Sequence, residues 1–128
     1  MTEHSSHGFH AHIYFRDAAE RATALKLRDA IGQRFAVALG RIWDQPVGPH
    51  PTPMYQVAFA PEQFGALVPF LMLAREGLTI LVHPETGDDI ADHSSNALWL
   101  GAVLPLDLEF LRKFARGEAS VPERPLSS

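Results

Sequence analysis

The chemistry open to this chain is set first by its histidines: seven stand among 128 residues, and there is no cysteine. Without thiols there is no disulfide framework, no thiolate nucleophile and no sulfur-ligated zinc or iron–sulfur centre. A bound metal must rest on imidazole and carboxylate. Neutral imidazoles are good nitrogen ligands at about 2.0–2.2 Å, provided that the rings are held in fixed directions. The same ring, with a pKa of about 6.5, can take up and return a proton at neutral pH.

His10 and His12 stand two residues apart, His50 lies between Pro49 and Pro51, and Pro84 follows His83. The fixed φ of proline restrains the backbone that carries the last two rings. Glu85, Asp88, Asp89 and Asp92 cluster near His83 and His93. Any of them could complete a triad of two histidines and one carboxylate, the kind that binds Fe(II) with open positions. Asp88 and Asp89 read better as solvated turn residues. His93 is open to three readings: a ligand, an acid–base group, or a cap for the segment that follows. A single histidine is more often a surface or hydrogen-bonded residue than a ligand, and that plainer reading is the better one for His4 and His7 in the polar leader.

The elements must bring the remaining rings together. From Phe9 to Phe15 the sequence alternates, with His10, His12 and Tyr14 on one side and Phe9, Ala11, Ile13 and Phe15 on the other, which is strand periodicity. Asp17 followed by Glu20 resembles a capping box, and Ala24, Leu27, Ile31 and Phe35 follow at helical spacing. Val37 to Trp43 predicts a second strand with a bulge at Gly40, leading into a rigid loop at 44–53 with four prolines. Met54 to Phe59 predicts a third strand. Pro61 then opens a helix with Phe64, Leu67, Val68, Leu71 and Met72, closed by Arg75 and Gly77. Pro69 inside it should kink or break it, at about 3 kcal/mol. Leu78 to Val82 predicts a fourth strand with His83 at its end, and the chain leaves it in a turn at 83–89. A short strand at 97–100 and a helix from Asp107 to about Ala115 complete the chain.

The predicted fold is α+β, a ferredoxin-like βαββαβ sandwich with an antiparallel sheet and a C-terminal extension; the first and third strands are expected to run parallel at its centre, with the fourth antiparallel beside the first. Residues 1–8 are read as a flexible leader, 9–116 as one domain and 117–128 as a tail that is loose or docked on a partner subunit. In this arrangement His10, His12, His50 and His83 are expected to fall at the same end of the sheet.

Composition bounds the alternatives. A net charge of −4 with scattered lysines and arginines gives no positive field for nucleic acid. The start lacks the pattern of a signal peptide and no run is long enough to span a membrane, so a cytoplasmic location is expected. Apolar residues on both sides of the sheet point to a homodimer.

The strings HAHIYF (10–15), VGPHPTPMYQVAF (47–59), LTILVHPETGDD (78–89) and DHSSNALWLG (92–101) resemble the DOPA 4,5-dioxygenase family of fungi and bacteria, over nearly all of the stretch from Phe9 to Leu106. The resemblance implies extradiol cleavage of a catechol, with L-DOPA as reference substrate and O2 as co-substrate, by a non-haem Fe(II) that zinc or another divalent ion could replace in purified protein. It implies that His12, His50 and His83 hold the metal and that His10 or His93 moves the catechol proton. Tyr14 and Tyr55 would shape the aromatic-binding wall; Trp99 could join them, although core packing suits it better. Glu85 and Phe70 stand where the family often carries asparagine and tryptophan, and Glu85 is thereby marked as a residue that bears on substrate choice. The alternatives are a non-catalytic module that binds a metal or small aromatic ligand, and a zinc-assisted hydrolase or isomerase.

Overall fold

The computed structural model describes residues 6–121. Its elements are β1 (Phe9–Tyr14), α1 (Ala18–Arg34), β2 (Ala38–Leu39), β3 (Met54–Phe59), α2 (Pro61–Ala74), β4 (Ile80–Pro84), α3 (Asp89–Asp92), β5 (Leu98–Leu100) and α4 (Leu108–Ala115). The sheet order is β2-β3-β1-β4-β5, which is the ferredoxin-like order with a fifth strand added beside β4.

Every neighbouring pair is antiparallel. This corrects the expectation that β1 and β3 run parallel: Phe9 lies opposite Phe59, and Tyr14 opposite Met54. The crossover through α1 makes β1 and β2 co-directional, and β3, inserted between them, must oppose both. β2 is shorter than its alternating pattern suggested. Leu39 pairs with Val57, and Trp43 bridges Met54, so four steps on one strand face three on the other. The extra residue is a bulge beginning at Gly40, as the glycine predicted. β4 starts two residues later than expected and takes His83 into the strand.

Local signals account for the helices. The Asp17 carboxylate accepts the Glu20 N–H at 2.8 Å, while Glu20 turns back one residue further than a capping box requires and accepts the Arg16 N–H at 2.8 Å. α2 runs through Pro69. Pro69 and Gly65, whose carbonyl would have received the missing N–H, are both exposed, so the lost bond falls on the side where water can replace it. α3 is a short helix where only a turn was expected, and Asp88 caps it by accepting the Ala91 N–H at 3.1 Å.

Strand alternation divides the sheet into two faces. One face carries Ala11, Ile13, Tyr55, Val57, Ile80 and Val82, which pack with Ala24, Leu27 and Ile31 of α1 and Leu67, Val68 and Leu71 of α2 into the main core. The other carries His10, His12 and Tyr14 of β1, Met54 and Gln56 of β3, Leu81 and His83 of β4 and Trp99 of β5. A second cluster covers part of it, with Val47, Leu104, Leu106 and Val121 around Tyr14, Met54 and Leu81. One face is thus covered by the two long helices and the other in part by this second cluster.

The chain ends are tied where they are described. His7 N–H donates to the Glu85 carbonyl at 3.1 Å and Glu85 N–H to the Gly8 carbonyl at 2.8 Å, so residues 6–8 run beside the end of β4 rather than forming a free leader. Val121 packs into the second cluster of its own chain; residues 1–5 and 122–128 of the expected leader and tail, His4 included, lie outside the described residues. Among the described residues no helix is long and apolar enough to cross a membrane.

Candidate metal and substrate site

Register and alternation place the rings. His10 and His83 are opposed across β1 and β4, and opposed residues point to the same face. His12 follows on that face, one alternation further along β1. His50 arrives from the opposite direction, since its loop enters β3 beside the Tyr14 end of the sheet. The histidines therefore meet over a sheet face, not at a sheet end as the parallel arrangement suggested. His50 is seated by a turn in which its N–H donates to the Val47 carbonyl at 3.1 Å. The turn passes through Gly48 at φ 59°, a left-handed conformation that a residue with a Cβ adopts only under strain. His93 is carried in by α3, whose loop is locked by buried Asp92: its carboxylate accepts the Thr86 backbone N–H at 2.9 Å, the Thr86 O–H at 2.7 Å and the Asn96 side-chain Nδ2–H at 3.2 Å. Asp92 and Asp88 are thus occupied in shaping this loop.

The ring centroids lie close: 4.3 Å for His12 and His50, 5.1 Å for His12 and His83, 4.2 Å for His83 and His93 and 5.2 Å for His10 and His83. Two sets of three have potential ligand atoms within 4.8 Å of one another: His10, His12 and His83, and His12, His50 and His93. His12 belongs to both. The trio His12, His50 and His83 divides between them. His7 is exposed and outside the cluster.

Hydrogen bonds assign the protons. His83 Nδ1 lies 2.9 Å from the Pro84 carbonyl and His93 Nδ1 lies 2.7 Å from the Asp89 carbonyl. A carbonyl only accepts, so both Nδ1 atoms carry hydrogen and both Nε2 atoms carry lone pairs. Across the 3.0 Å separation between His12 Nε2 and His83 Nε2, His12 must then be the donor. That leaves its Nδ1 as a bare acceptor, buried and without a hydrogen-bond partner. A buried lone pair with no protein donor is where an ion is expected. The Tyr14 hydroxyl sits 2.8 Å from His50 Nδ1; when that nitrogen donates to the phenol oxygen, His50 Nε2 is free as well.

Burial keeps these rings neutral, as ligation requires. It pushes His10 down to about 4 and His83 to about 3, with the repulsion of His93 adding to both. It also holds His12, His50 and His93 below the ordinary value, and neighbouring rings reinforce it for the first two. Burial, followed by the charges of Asp89 and Asp92, lifts Glu85 to about 7. The Glu85 carboxylate lies 3.3 Å from His10 Nδ1, beside an imidazole that burial keeps neutral, so the contact is not an ion pair. Burial raises the Tyr14 phenol out of reach of neutral pH.

A cavity of about 280 Å³ opens beside the cluster, lined by His10, His12, His50, Glu85 and His93 together with Arg41, Trp43, Gln56, Phe110 and Phe114. Its size suits a single-ring ligand. Tyr55 is not part of it. It lies opposite Ile13, on the other face of the sheet, where its hydroxyl donates to the Ala24 carbonyl at 2.7 Å; its parity along β3 places it in the main core. Phe70 also packs against that core, and Trp99 stacks on Tyr14 at 6.1 Å. Sequence reasoning passed over Gln56, Trp43, Arg41 and the two α4 phenylalanines. Only Gln56 left a signal, through its parity opposite Tyr55, and only the β1–β3 register gives that parity a face.

The Dopa 4,5-dioxygenase family model matches residues 9–110. The chain belongs to this family. It is 40% identical over 108 residues to the DOPA 4,5-dioxygenase of Amanita muscaria, an alignment covering 78% of this chain and 47% of that protein. It is 39% identical over 123 residues to an uncharacterised 21.2 kDa protein of Botryotinia fuckeliana, covering 88% of this chain and 67% of that one. The chain thus spans less than half the length of the Amanita protein and about two thirds of the Botryotinia protein. A crystal structure from Nostoc punctiforme, provisionally assigned as a dioxygenase, superposes with a TM-score of 0.83 at 60% identity, covering 85% of this chain and 94% of that one. Family and structural neighbour alike are named as dioxygenases, and the shared fold is the one that builds this histidine face.

Proposed function

We propose that this member of the Dopa 4,5-dioxygenase family is a non-haem Fe(II) dioxygenase that opens the ring of L-DOPA or a related catechol by extradiol cleavage. The observation that carries the reading is the partnerless Nδ1 of His12, buried among imidazoles whose potential ligand atoms lie within 4.8 Å of one another. An all-imidazole donor set suits Fe(II), and equally zinc. His12, His50 and His93 are the favoured ligands, because all three line the cavity, where catechol and O2 must arrive. His83 then supports His12 through the 3.0 Å contact. Bound there, the ion would lower the catechol hydroxyl pKa and bring the two reactants together.

The chain's own groups do the rest. Tyr14 fixes the ring of His50. The Asp89 carbonyl fixes His93. His10, kept neutral by burial and 3.3 Å from Glu85, stands at the cavity wall ready to accept the catechol proton and return it later. A second reading makes His83 a ligand: two nitrogens bound at about 2.1 Å on perpendicular directions lie about 3.0 Å apart, which is the His12–His83 separation. Metal content separates the two, since His93→Ala loses the ion under the first reading and His83→Ala under the second. For the activity itself, protein loaded anaerobically with Fe(II) is given catechols and ¹⁸O2. A ring-opened product carrying both labelled oxygens is expected. Binding of catechol without ring opening would make the chain a binding module, and hydrolysis or isomerisation by the zinc form alone would make it a metal-assisted hydrolase or isomerase.

A further inference from the structure

Gln56 is 4% exposed, and its Nε2 is buried with no hydrogen-bond partner. It lies directly opposite His12 in the β1–β3 register, on the same face, and lines the cavity. An amide donor left unsatisfied in a folded protein is destabilising. The site tolerates it at a position where the neighbouring strand residues of the other face are all apolar. A residue needed only to fill space there would be a methionine or leucine, as at Met54 and Leu81 on the same face. Its two N–H groups are charge-neutral donors, suited to an oxygen that bears negative charge beside a metal-binding imidazole.

The rest of the lining orients such a ligand. Glu85 and Asp89 stand on the His10 and His93 side, whereas Arg41, with its guanidinium 4.2 Å from the Trp43 ring centroid, is the lysine or arginine among the described lining residues. A substituent with negative charge is repelled from the first side and drawn to the second.

Resting on the dioxygenase reading, we propose that Gln56 is a specificity-determining residue: its carboxamide donates to a catecholate oxygen of a single-ring substrate, whose substituent, preferably anionic, extends towards Arg41 and Trp43. The amide thereby selects ligands that present an acceptor oxygen next to His12.

The test uses binding as well as turnover. Protein loaded with zinc, which cannot support oxygen chemistry, is titrated with 4-nitrocatechol and followed by the absorbance of the catecholate. Gln56→Leu is expected to weaken binding about tenfold, and Gln56→Glu, which presents an acceptor to the same oxygen, to weaken it further. Gln56→Asn, which keeps the amide on a shorter arm, should fall between wild type and Leu. Thermal melting and zinc content of each variant show whether it folds and loads; should Leu fail either, the Glu and Asn variants decide. With the Fe(II) form, the ratio of kcat/KM for 3,4-dihydroxyphenylacetate to that for 4-methylcatechol should exceed about tenfold in wild type and approach one in Arg41→Gln. Binding unchanged in Gln56→Leu, tighter binding in Gln56→Glu, or no binding by wild type would overturn the assignment of Gln56; a ratio near one in wild type would overturn that of Arg41. Tight, Gln56-dependent binding with no ring opening by the iron form would instead sink the dioxygenase reading and leave the recognition role standing.

Discussion

The two faces of one sheet are built on opposite principles. The face under α1 and α2 holds aliphatic and aromatic side chains that satisfy one another, and its one buried phenol, Tyr55, finds a carbonyl. The face under the 44–53 loop, α3 and α4 buries four polar side chains, His12, His50, Gln56 and His83, and leaves a nitrogen of His12 and another of Gln56 unpartnered. Burial contributes about 1.5–3 kcal/mol for each large apolar side chain on the first face; on the second, desolvated imidazoles are held neutral against their tendency to charge. The first face supplies stability that the second face spends on a site.

Substitutions on the two faces should therefore separate stability from metal binding. His12→Ala removes the ring common to both ligand sets, and metal retention should fall by more than about 100-fold, beyond the range for supporting residues, as read by metal analysis after dialysis. Retained metal would move the site elsewhere.

Acid should act chiefly through the histidine face. His10 and His83 are neutral in the fold down to about 4 and about 3, whereas in the unfolded chain they protonate near 6.5. The unfolded state thus binds more protons below that pH, so metal-free protein keeps its full histidine contribution above about 6.5 and loses it progressively as the pH falls to about 4 for His10 and about 3 for His83. Each tenfold difference in proton affinity contributes about 1.4 kcal/mol. Glu85, raised to about 7 and partly exposed, works in the opposite sense between about 4.5 and 7 and offsets part of the loss. Urea denaturation at pH 7 and at pH 4.5 measures the balance, and equal stability would mean that the rings are not buried as described.

Leu67→Ala, on the fully buried side of α2, should cost about 2–5 kcal/mol by urea melt, with metal bound per folded molecule unchanged. A matching loss of metal would show that the faces are coupled. Tyr14→Phe removes the partner of His50 and should weaken metal affinity by about 10–100-fold with little change in melting temperature, read by competition with a chelator; unchanged affinity would assign that hydroxyl to packing.

Much of this was legible in the chain. Asp17 and Asp107 announced helix starts, Gly40 announced the bulge, and the 9–15 alternation separated histidines from apolar residues, because caps, turns and alternation are local rules that act over a few residues. The four quoted strings also carried the family. What they could not carry was strand direction and register. Whether His50 meets His12 over a face or at an end depends on β3 lying antiparallel between β1 and β2. Whether Tyr55 or Gln56 faces the site depends on which residue of β3 lies opposite Ile13, and a slip of one residue exchanges them. The carbonyls of Pro84 and Asp89 that orient His83 and His93 are local, but bringing those two rings beside His12 is not. The amino-acid order determined which groups can bind and move protons; only long-range pairing decided which of them share a cavity, because side-chain facing in a sheet is a property of the pair of strands and not of either one.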